Sequence, residues 1–222
     1  MPSARRPHHN NGRSLTGTLS LKDGRSVTFE SKLERNCLIN LDFRDDTVDI
    51  ETQFPRIPLP TGTGSPWYTP DIHVAFIQSS RARNIDVCEV KYLKDLDNPA
   101  YCAKHRHKWD AARSYCRERG WTFRLLSEQD INTPFTENAL FFRRYLSIPD
   151  QPLERAQLLF CLQYLTRTTP EILLATAFRS PEARMTGISA LWKMIARREV
   201  WTDFDKPFTN VSPIAFVEKV KP

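Results

Sequence analysis

Two short apolar runs, at residues 72–77 and 85–90, constrain the fold of this chain more than any other feature of its sequence. Both are rich in branched apolar residues, which are typical of β-strands, and the polar segment between them predicts that the two strands pair antiparallel. Asp71 precedes the first run, and Glu89 and Lys91 stand at the end of the second. Alternate side chains of a strand point to the same face, so Glu89 and Lys91 are expected to share one. The sequence therefore predicts two carboxylates and an amine at one edge of a sheet.

These residue types suit phosphodiester hydrolysis. Carboxylate oxygens are ligands that Mg²⁺ prefers, and a neighbouring ammonium can orient a water molecule or neutralise charge that develops at phosphorus. The alternative is a solvated Glu89–Lys91 pair on an exposed strand, with Asp71 a turn residue after Pro70. The order Pro-Asp, spacer, Glu-x-Lys is, however, similar to the signature of the nuclease superfamily that includes many restriction enzymes. This similarity favours a metal site.

The flanking residues predict a mixed sheet with helices around it. An Asp-Gly turn indicates an early hairpin, the capping-box pattern from Ser31 to Glu34 begins a helix, and Gly120 ends a long one. The further predicted elements are strands at 47–54 and 121–125 and helices at about 31–42 and 100–119. The second helix is expected to connect the strand at 85–90 to a parallel neighbour. The predicted fold class is α/β.

Glu34 has two possible roles. Its position three residues after Ser31 suits a hydrogen bond back to the main chain of the helix N-terminus. It could instead project from the helix beneath the sheet edge as a further carboxylate of the metal site. Glu30 competes with Glu34 for either role, and the residue pattern alone leaves both open.

The long helix carries a row of arginines beside its apolar stripe. Arg106, Arg113 and Arg117 lie on one edge at 100° per residue, and we interpret them as phosphate contacts next to the catalytic strand. The alternative is a solvated face with Asp110 as an ion-pair partner. The spacing of the Cys and His residues on this helix does not match a zinc module, so we reject a zinc site there.

The net charge of +6 over 222 residues is distributed unevenly. Arg5, Arg6 and Arg13 contribute three charges and residues 150–222 contribute two, which leaves +1 for residues 14–149. A nearly neutral body binds DNA weakly by itself, so a partner is expected to deliver the substrate. The chain has no membrane-length apolar run and no secretory signal, and its five cysteines lack disulfide spacing, so we expect a soluble cytoplasmic protein that does not enter membranes.

The sequence predicts three segments. Residues 1–13 are expected to form a flexible basic arm, residues 14–148 a catalytic domain and residues 149–222 a C-terminal domain, because prolines 149 and 152 interrupt any helix there. The last segment reads helix, helix, helix, strand, strand, which is a winged-helix pattern. Its third helix ends at Arg197 and Arg198, which we interpret as DNA contacts, with protein docking as the alternative.

The chain resembles the TnsA endonuclease subunit of heteromeric cut-and-paste transposons of the Tn7-like type, including CRISPR-associated ones. The resemblance rests on four motifs in the family's order, Phe29-Glu-Ser-Lys-Leu-Glu34, Ile50-Glu-Thr-Gln-Phe-Pro55, Tyr68-Thr-Pro-Asp71 and Glu89-Val-Lys91. It implies a restriction-endonuclease-like catalytic domain followed by a winged-helix-like domain. Glu34 matches the family's helix carboxylate, whereas family members can carry glutamine at the position of Glu89.

The resemblance also implies an activity and partners. Mg²⁺, for which Mn²⁺ can substitute, is expected to bind Glu34, Asp71, Glu89 and the main-chain carbonyl of Val90, while Lys91 positions or deprotonates the attacking water. Cleavage is expected on the 5′ side of each double-stranded transposon end. The implied partners are an integrase-type transposase and an AAA+ ATPase regulator, in a bacterial cytoplasm at the nucleoid.

Two other functions fit the same residues. One is a free-standing restriction-like or junction-resolving nuclease, which the nearly neutral body disfavours. The other is a DNA-binding adaptor subunit in which the nuclease fold is only structural, which the full set of acidic residues and Lys91 disfavours.

Overall fold

The computed structural model describes residues 15–60, 65–77 and 83–217. The chain divides into two compact units, Met1–Asn132 and Thr133–Pro222. The basic arm predicted at residues 1–13 lies outside the described residues. Both units combine helices with short sheets, so the predicted α/β class is confirmed.

The first unit holds a mixed sheet with helices packed on it. The strands of this unit are β1 (Gly17–Ser20), β2 (Ser26–Phe29), β3 (Thr47–Thr52), β4 (Ile57–Pro58), β5 (Trp67–Tyr68), β6 (Ile72–Ile77), β7 (Arg83–Val90) and β8 (Thr122–Leu126). Its helices are α1 (Lys32–Phe43), α2 (Leu93–Leu96), α3 (Pro99–Glu118) and α4 (Glu128–Ile131). The early hairpin is present as β1 and β2, which pair antiparallel.

The central sheet has the strand order β3-β6-β7-β8. β6 pairs antiparallel with β3 and with β7, whereas β8 runs parallel to β7 after the crossover through α3, as the sequence predicted. Val74 and Val87, on the two middle strands, are fully buried. β6 and β7 therefore form the centre of a mixed sheet, and this arrangement fits a restriction-endonuclease-like fold.

A second, smaller hairpin lies between β3 and β6 in the chain. β4 and β5 pair antiparallel, with Ile57 opposite Tyr68. Both side chains are buried in a cluster with Trp109 and Ala112 of α3. Contact with α3, rather than local strand propensity, holds this two-residue pairing, because so short a hairpin is not stable alone.

The second unit begins earlier than predicted. It contains α5 (Pro134–Phe142), a 3₁₀ turn (Arg143–Ser147), α6 (Pro152–Leu165), β9 (Arg167–Thr168), α7 (Pro170–Ala177), α8 (Pro181–Ala196), β10 (Val200–Thr202) and β11 (Ile214–Phe216). The division falls between Asn132 and Thr133, so the segment predicted as a boundary at residue 149 lies inside this unit.

The aromatic core of the second unit explains the position of this division. The Phe142 ring, from α5, packs edge-on against Trp192, Phe204 and Phe208, with ring centroids 4.8–5.9 Å apart. The prolines near residue 150 separate two helices but not two cores, so α5 belongs to the second unit through its packing.

The C-terminal elements form a helical layer and a small sheet. β10, β11 and β9 make an antiparallel sheet in that order, and β9, between α6 and α7, was not predicted. Residues 190–196 of α8 are all buried, so the C-terminal half of this helix lies in the core of the unit. In the described parts of the chain, every helix is too short or too polar to cross a membrane.

The buried side chain of Asn138 joins α5 to the loop before β11. Its amide nitrogen donates to the main-chain carbonyls of Phe204 and Lys206, both at 2.8 Å, and its oxygen accepts the N–H of Phe208 at 3.3 Å. Removing it deprives three part-buried main-chain groups of their partner, and a buried group left unsatisfied costs about 1–3 kcal/mol.

We therefore expect Asn138→Ala to lower the free energy of unfolding by about 2–4 kcal/mol, measured by urea denaturation of the full chain. Asn210→Ala is the matched control, because Asn210 is exposed and should change stability by less than about 0.5 kcal/mol. Equal effects of the two changes would contradict this account.

Candidate active site

The central strands bring Asp71, Glu89 and Lys91 together. Asp71 immediately precedes β6, and Glu89 and Val90 end β7. The antiparallel register places Ile72 opposite Cys88, so the start of β6 lies beside the end of β7. Asp71 Oδ2 accepts the main-chain N–H of Val90 at 2.8 Å. The order of elements and the register therefore build the carboxylate edge that the sequence predicts.

The Lys91 ammonium lies among oxygen atoms. Its Nζ is 2.8 Å from Glu89 Oε1, 3.0 Å from the carbonyl oxygen of Val90 and 3.5 Å from Asp71 Oδ2. The side chain is 20% exposed. Burial opposes the charge on this amine, but the carboxylates of Asp71 and Glu89 outweigh burial and raise the pKa of Lys91. The amine is therefore held as an ammonium at neutral pH.

Glu89 is buried and uses both carboxylate oxygens. Oε1 pairs with Lys91, and Oε2 accepts the hydroxyl of Tyr68 at 2.7 Å. Burial and the nearby Glu89 charge raise the pKa of Tyr68, so its hydroxyl remains a donor. The sequence interpretation assigned no role to Tyr68. Its one signal was its place three residues before Asp71 in the Tyr-Thr-Pro-Asp motif.

Glu34 occupies the capping position. Its Oε2 accepts the main-chain N–H of Glu30 at 2.8 Å, and its Oε1 accepts the Ser31 hydroxyl at 3.0 Å. The Ser31 oxygen in turn accepts the N–H of Glu34 at 3.1 Å. The structure thus contains the reciprocal cap that the sequence suggested for α1.

Glu34 and Asp71 also interact as charges. Burial and the negative charge of Asp71 raise the pKa of Glu34 to about 7. Burial and the negative charge of Glu89 raise the pKa of Asp71 to about 7, against the opposing effect of Lys91. The two carboxyl groups therefore favour their protonated forms more than exposed ones do, which is expected for buried acids that lie close to other carboxylates.

Glu30 faces a different partner. Its carboxylate accepts the side-chain amide of Gln53 at 3.0 Å. Gln53 has a left-handed backbone, with φ of 55°, and its main-chain N–H donates to the carbonyl oxygen of Asp71 at 2.9 Å. This hydrogen bond joins the residue after β3 to Asp71, the residue before β6, and helps to fix the main chain of Asp71.

The donor set suits Mg²⁺ in chemistry but is not gathered around one point. Among the described residues, no group of three His, Cys, Asp or Glu side chains is arranged to hold a metal ion. Glu34 bends back to its cap and Glu89 is paired with Lys91. The available ligands are hard oxygens, the type that Mg²⁺ prefers, and the negative charge of Asp71 acts on Glu34. The residues present therefore fit Mg²⁺ at Glu34 and Asp71.

The arginines of α3 are exposed. Arg113 pairs with Asp110 at 2.8 Å, the contact expected for a solvated face, and Arg117 donates to the Ser114 hydroxyl at 3.3 Å. Arg106 is exposed on the same helix. The ion pair at Arg113 is exposed on both sides, so it holds that arginine only weakly.

The basic residues at the end of α8 are engaged within the second unit. Arg197 pairs with Asp150 at 2.9 Å, and the Arg198 guanidinium lies 3.9 Å from the centre of the Phe204 ring. Lys193, which the sequence placed on the same helix, is buried and pairs with Asp150 at 2.6 Å. Arg197 remains 41% exposed, so it is the more accessible of the two arginines proposed for DNA contact.

Comparison with known protein families identifies the first unit. Residues 44–128 match the family described as "TnsA-like endonuclease N terminal". The matched segment spans the central sheet and includes Asp71, Glu89 and Lys91, while Glu34 precedes it. No curated protein matches the chain. Residues 44–128 are therefore similar to the N-terminal domain of TnsA-like endonucleases, in agreement with the resemblance of the motifs that this segment contains.

Proposed function

We propose that this chain is the metal-dependent DNA endonuclease subunit of a Tn7-like transposase and cuts the 5′-side strand at each transposon end. The observation that carries the proposal is the meeting of Asp71, Glu89 and Lys91 at one sheet edge inside a TnsA-like endonuclease domain. A solvated surface pair would not need two further hydrogen bonds, from Tyr68 and from the Val90 N–H, to fix its carboxylates.

Mg²⁺ is the proposed metal, with Mn²⁺ as a substitute. Glu34, Asp71 and the main-chain carbonyl of Val90 would hold it, and Glu89 is the next carboxylate available. When bound, the ion would polarise the scissile phosphate and lower the pKa of an attached water molecule. Each Glu34 oxygen accepts one hydrogen bond, from Glu30 or from Ser31, and keeps a further lone pair for an ion.

Lys91 acts as a charged donor in this proposal. Its raised pKa disfavours a role as general base, so it orients the attacking water or stabilises charge on the phosphate oxygens. Asp71 is kept in place by the Val90 N–H. The products would be a 5′-phosphate and a 3′-hydroxyl.

DNA and protein partners complete the proposal. Arg106, Arg113 and Arg117 are exposed on the helix that follows the catalytic strand, and they are proposed to contact phosphates of the transposon end. The second unit, with a strand between its helices α6 and α7 and a closing antiparallel hairpin, is proposed to be winged-helix-like. Arg197 and Arg198 would contact DNA there. An integrase-type transposase would cut and join the other strand, and an AAA+ ATPase would regulate it in the bacterial cytoplasm at the nucleoid.

The first test uses the pH dependence of stability. Below about pH 4 the carboxyl groups of Glu34 and Asp71 are protonated in both the folded and the unfolded protein. The folded protein binds these protons more tightly, so their contribution to the free energy of unfolding is lost as the pH rises through about 7. Mg²⁺ should counter this loss. We expect it to raise the melting temperature more at pH 8 than at pH 5.5 in calorimetric scans.

Asp71→Asn is the control for the metal test, since it should abolish most of the Mg²⁺ effect at pH 8. If Mg²⁺ raised the melting temperature of the wild type and of Asp71→Asn equally, the proposal that Mg²⁺ binds at this site would be wrong.

The second test separates the two roles of Glu34. Glutamine can keep both capping contacts, because its oxygen accepts the Glu30 N–H and the Ser31 hydroxyl can rotate to accept from its amide. Glu34→Gln should therefore change the free energy of unfolding by less than about 0.5 kcal/mol but abolish strand cleavage by the assembled transposase.

Glu30→Gln is the matched variant for Glu34, and it should retain most cleavage because its carboxylate contacts Gln53 rather than Asp71. Normal cleavage by Glu34→Gln would show that Glu34 caps the helix and does not bind the metal.

The third test concerns the strand that is cut. If a partner cuts and joins the 3′ side, Lys91→Ala should leave joining intact while the donor DNA stays attached through its uncut strand. Replication would then convert simple insertions into cointegrates that contain donor and target. Long-read sequencing of insertion products in cells should show this shift with total joining largely retained.

Lys94→Ala is the matched control for Lys91, because Lys94 is exposed and its ammonium lies 5.6 Å from the centre of the Tyr92 ring. It should give simple insertions. Simple insertions from Lys91→Ala would exclude Lys91 from catalysis. Cleavage of plain plasmid by the isolated protein would instead support a free-standing nuclease.

A further inference from the structure

An exposed tryptophan stands beside the tyrosine that contacts the site. Trp67 and Tyr68 form β5, and successive side chains of a strand point to opposite faces. The buried Tyr68 donates its hydroxyl to Glu89 Oε2 at 2.7 Å, whereas Trp67 is 41% exposed. Because neighbouring Cα atoms are about 3.8 Å apart, the outer face of β5 lies within one turn of DNA, about 34 Å, of the carboxylate edge.

The guanidinium of Arg56 lies over the Trp67 ring. Its central carbon is 4.6 Å from the ring centre, a distance typical of a cation–π contact. Arg56 is exposed and immediately precedes β4, the strand that pairs with β5. The arginine and the tryptophan therefore stand side by side on the outer face of the β4–β5 hairpin.

The charge of Arg56 has no acidic partner among the residues that the structure describes. Arg56 is the one charged residue from position 55 to position 68 of the sequence. Three other arginines of the first unit also lie over aromatic rings, but each pairs with an acid: Arg44 with Asp46, Arg113 with Asp110 and Arg119 with Glu118. A cation without a neighbouring carboxylate attracts an anionic partner more strongly than a neutralised one does.

The inner face of the hairpin anchors the backbone from which the pair projects. Ile57, Leu59 and Tyr68 are buried in one cluster with side chains of α3. The N–H of Leu59 donates to the carbonyl oxygen of Pro66 at 2.9 Å, which adds a hydrogen bond between the two arms of the hairpin. A cation and a ring on an anchored backbone bind a ligand with a smaller loss of conformational entropy than mobile groups do.

We propose that Arg56 and Trp67 form a DNA-binding site on the β4–β5 hairpin, beside the carboxylate edge. Arg56 contacts a phosphate of the transposon end, and the Trp67 ring packs against the sugar or base of an adjacent nucleotide. A nucleotide presents an anion and an apolar face together, which is the chemistry that this pair complements. The inference rests on the proposed nuclease function, because the site would hold the DNA whose scissile phosphate meets Asp71 and Lys91.

The first test measures the affinity of the full chain for a transposon-end duplex by fluorescence anisotropy, without divalent ions so that no strand is cut. Arg56→Ala should weaken binding and make the slope of log affinity against log salt shallower by about 0.9 between about 50 and 200 mM salt, because one phosphate contact is lost. Arg44→Ala is the matched control and should leave the slope unchanged, since Arg44 also lies over a ring but pairs with Asp46. An unchanged slope in Arg56→Ala would overturn the proposal.

The second test separates the aromatic ring of Trp67 from its bulk. Trp67→Phe should keep the affinity within about threefold of wild type, whereas Trp67→Leu should lower it by about tenfold, because an aromatic contact to a nucleotide contributes that much. Both variants are measured on fully paired ends and on ends with unpaired bases at the cut. A loss confined to the unpaired ends assigns the ring to a base, and an equal loss on both assigns it to a sugar. Equal affinities of the two variants on both substrates would refute the contact.

The third test locates the contacted phosphate. A methylphosphonate removes the charge of one phosphate, so ends that carry it at successive positions should reveal a position where the wild type loses affinity and Arg56→Ala loses no more. We expect this position within about one helical turn of the cut. A position farther away, or an equal loss in both proteins at every position, would contradict the proposal.

Comparing binding with cleavage separates this site from the nuclease proposal. If the assembled transposase cuts the 5′-side strand while Arg56→Ala and Trp67→Leu bind DNA as the wild type does, the DNA-binding site is wrong and the nuclease function stands. If both variants lose affinity but the assembly cuts no strand, the nuclease function is wrong and the DNA-binding site stands.

Discussion

The crowding of negative charge at one sheet edge is the constraint on which the site depends. Glu34, Asp71 and Glu89 lie near one another where water is largely excluded, and a buried carboxylate is costly unless it is paired. Lys91 is the cation the fold supplies, and it contacts two of the three acids. The main-chain N–H groups of Glu30 and Val90 help to hold the remaining oxygens. Burial and the repulsion between neighbouring carboxylates, which these contacts do not fully offset, raise the pKa values of Glu34 and Asp71.

The elements around the central sheet serve this edge in different ways. α1 presents Glu34 from its first turn, and β3 ends in the left-handed Gln53, which supports the backbone of Asp71. The β4–β5 hairpin packs on α3 and carries Tyr68 to Glu89. The site is therefore built from separate segments that hydrogen bonds and packing join, and the restriction-endonuclease-like sheet provides their common frame.

The structure also changes the interpretation of the helices. The arginines of α3 are exposed, as a surface that contacts phosphates requires. Arg113 also forms an ion pair with Asp110, which is the contact that the alternative interpretation, a solvated face, predicts. α8 differs from a simple recognition helix, since its C-terminal half is buried and Lys193 is bound inside the second unit.

The sequence by itself determined the elements whose signals are local. Alternation defined β6 and β7, the Ser31 cap defined α1, and the order Asp71, Glu89, Lys91 placed these residues at one edge, because antiparallel neighbours with a short connection leave little choice. The motif resemblance to TnsA agrees with the family match over residues 44–128, a segment that contains three of the four motifs.

Only the tertiary structure decided the contacts between residues distant in sequence. Tyr68 and Glu89 are separated by 21 positions, and no periodicity indicates which hydroxyl meets which carboxylate. The start of the second unit, ahead of α5, depends on the packing of Phe142 against aromatic rings more than fifty residues later. β4, β5 and β9 are two-residue strands that exist because a neighbour covers them. Local propensity records how a segment prefers to fold, whereas these features depend on which partner it finds in the assembled core.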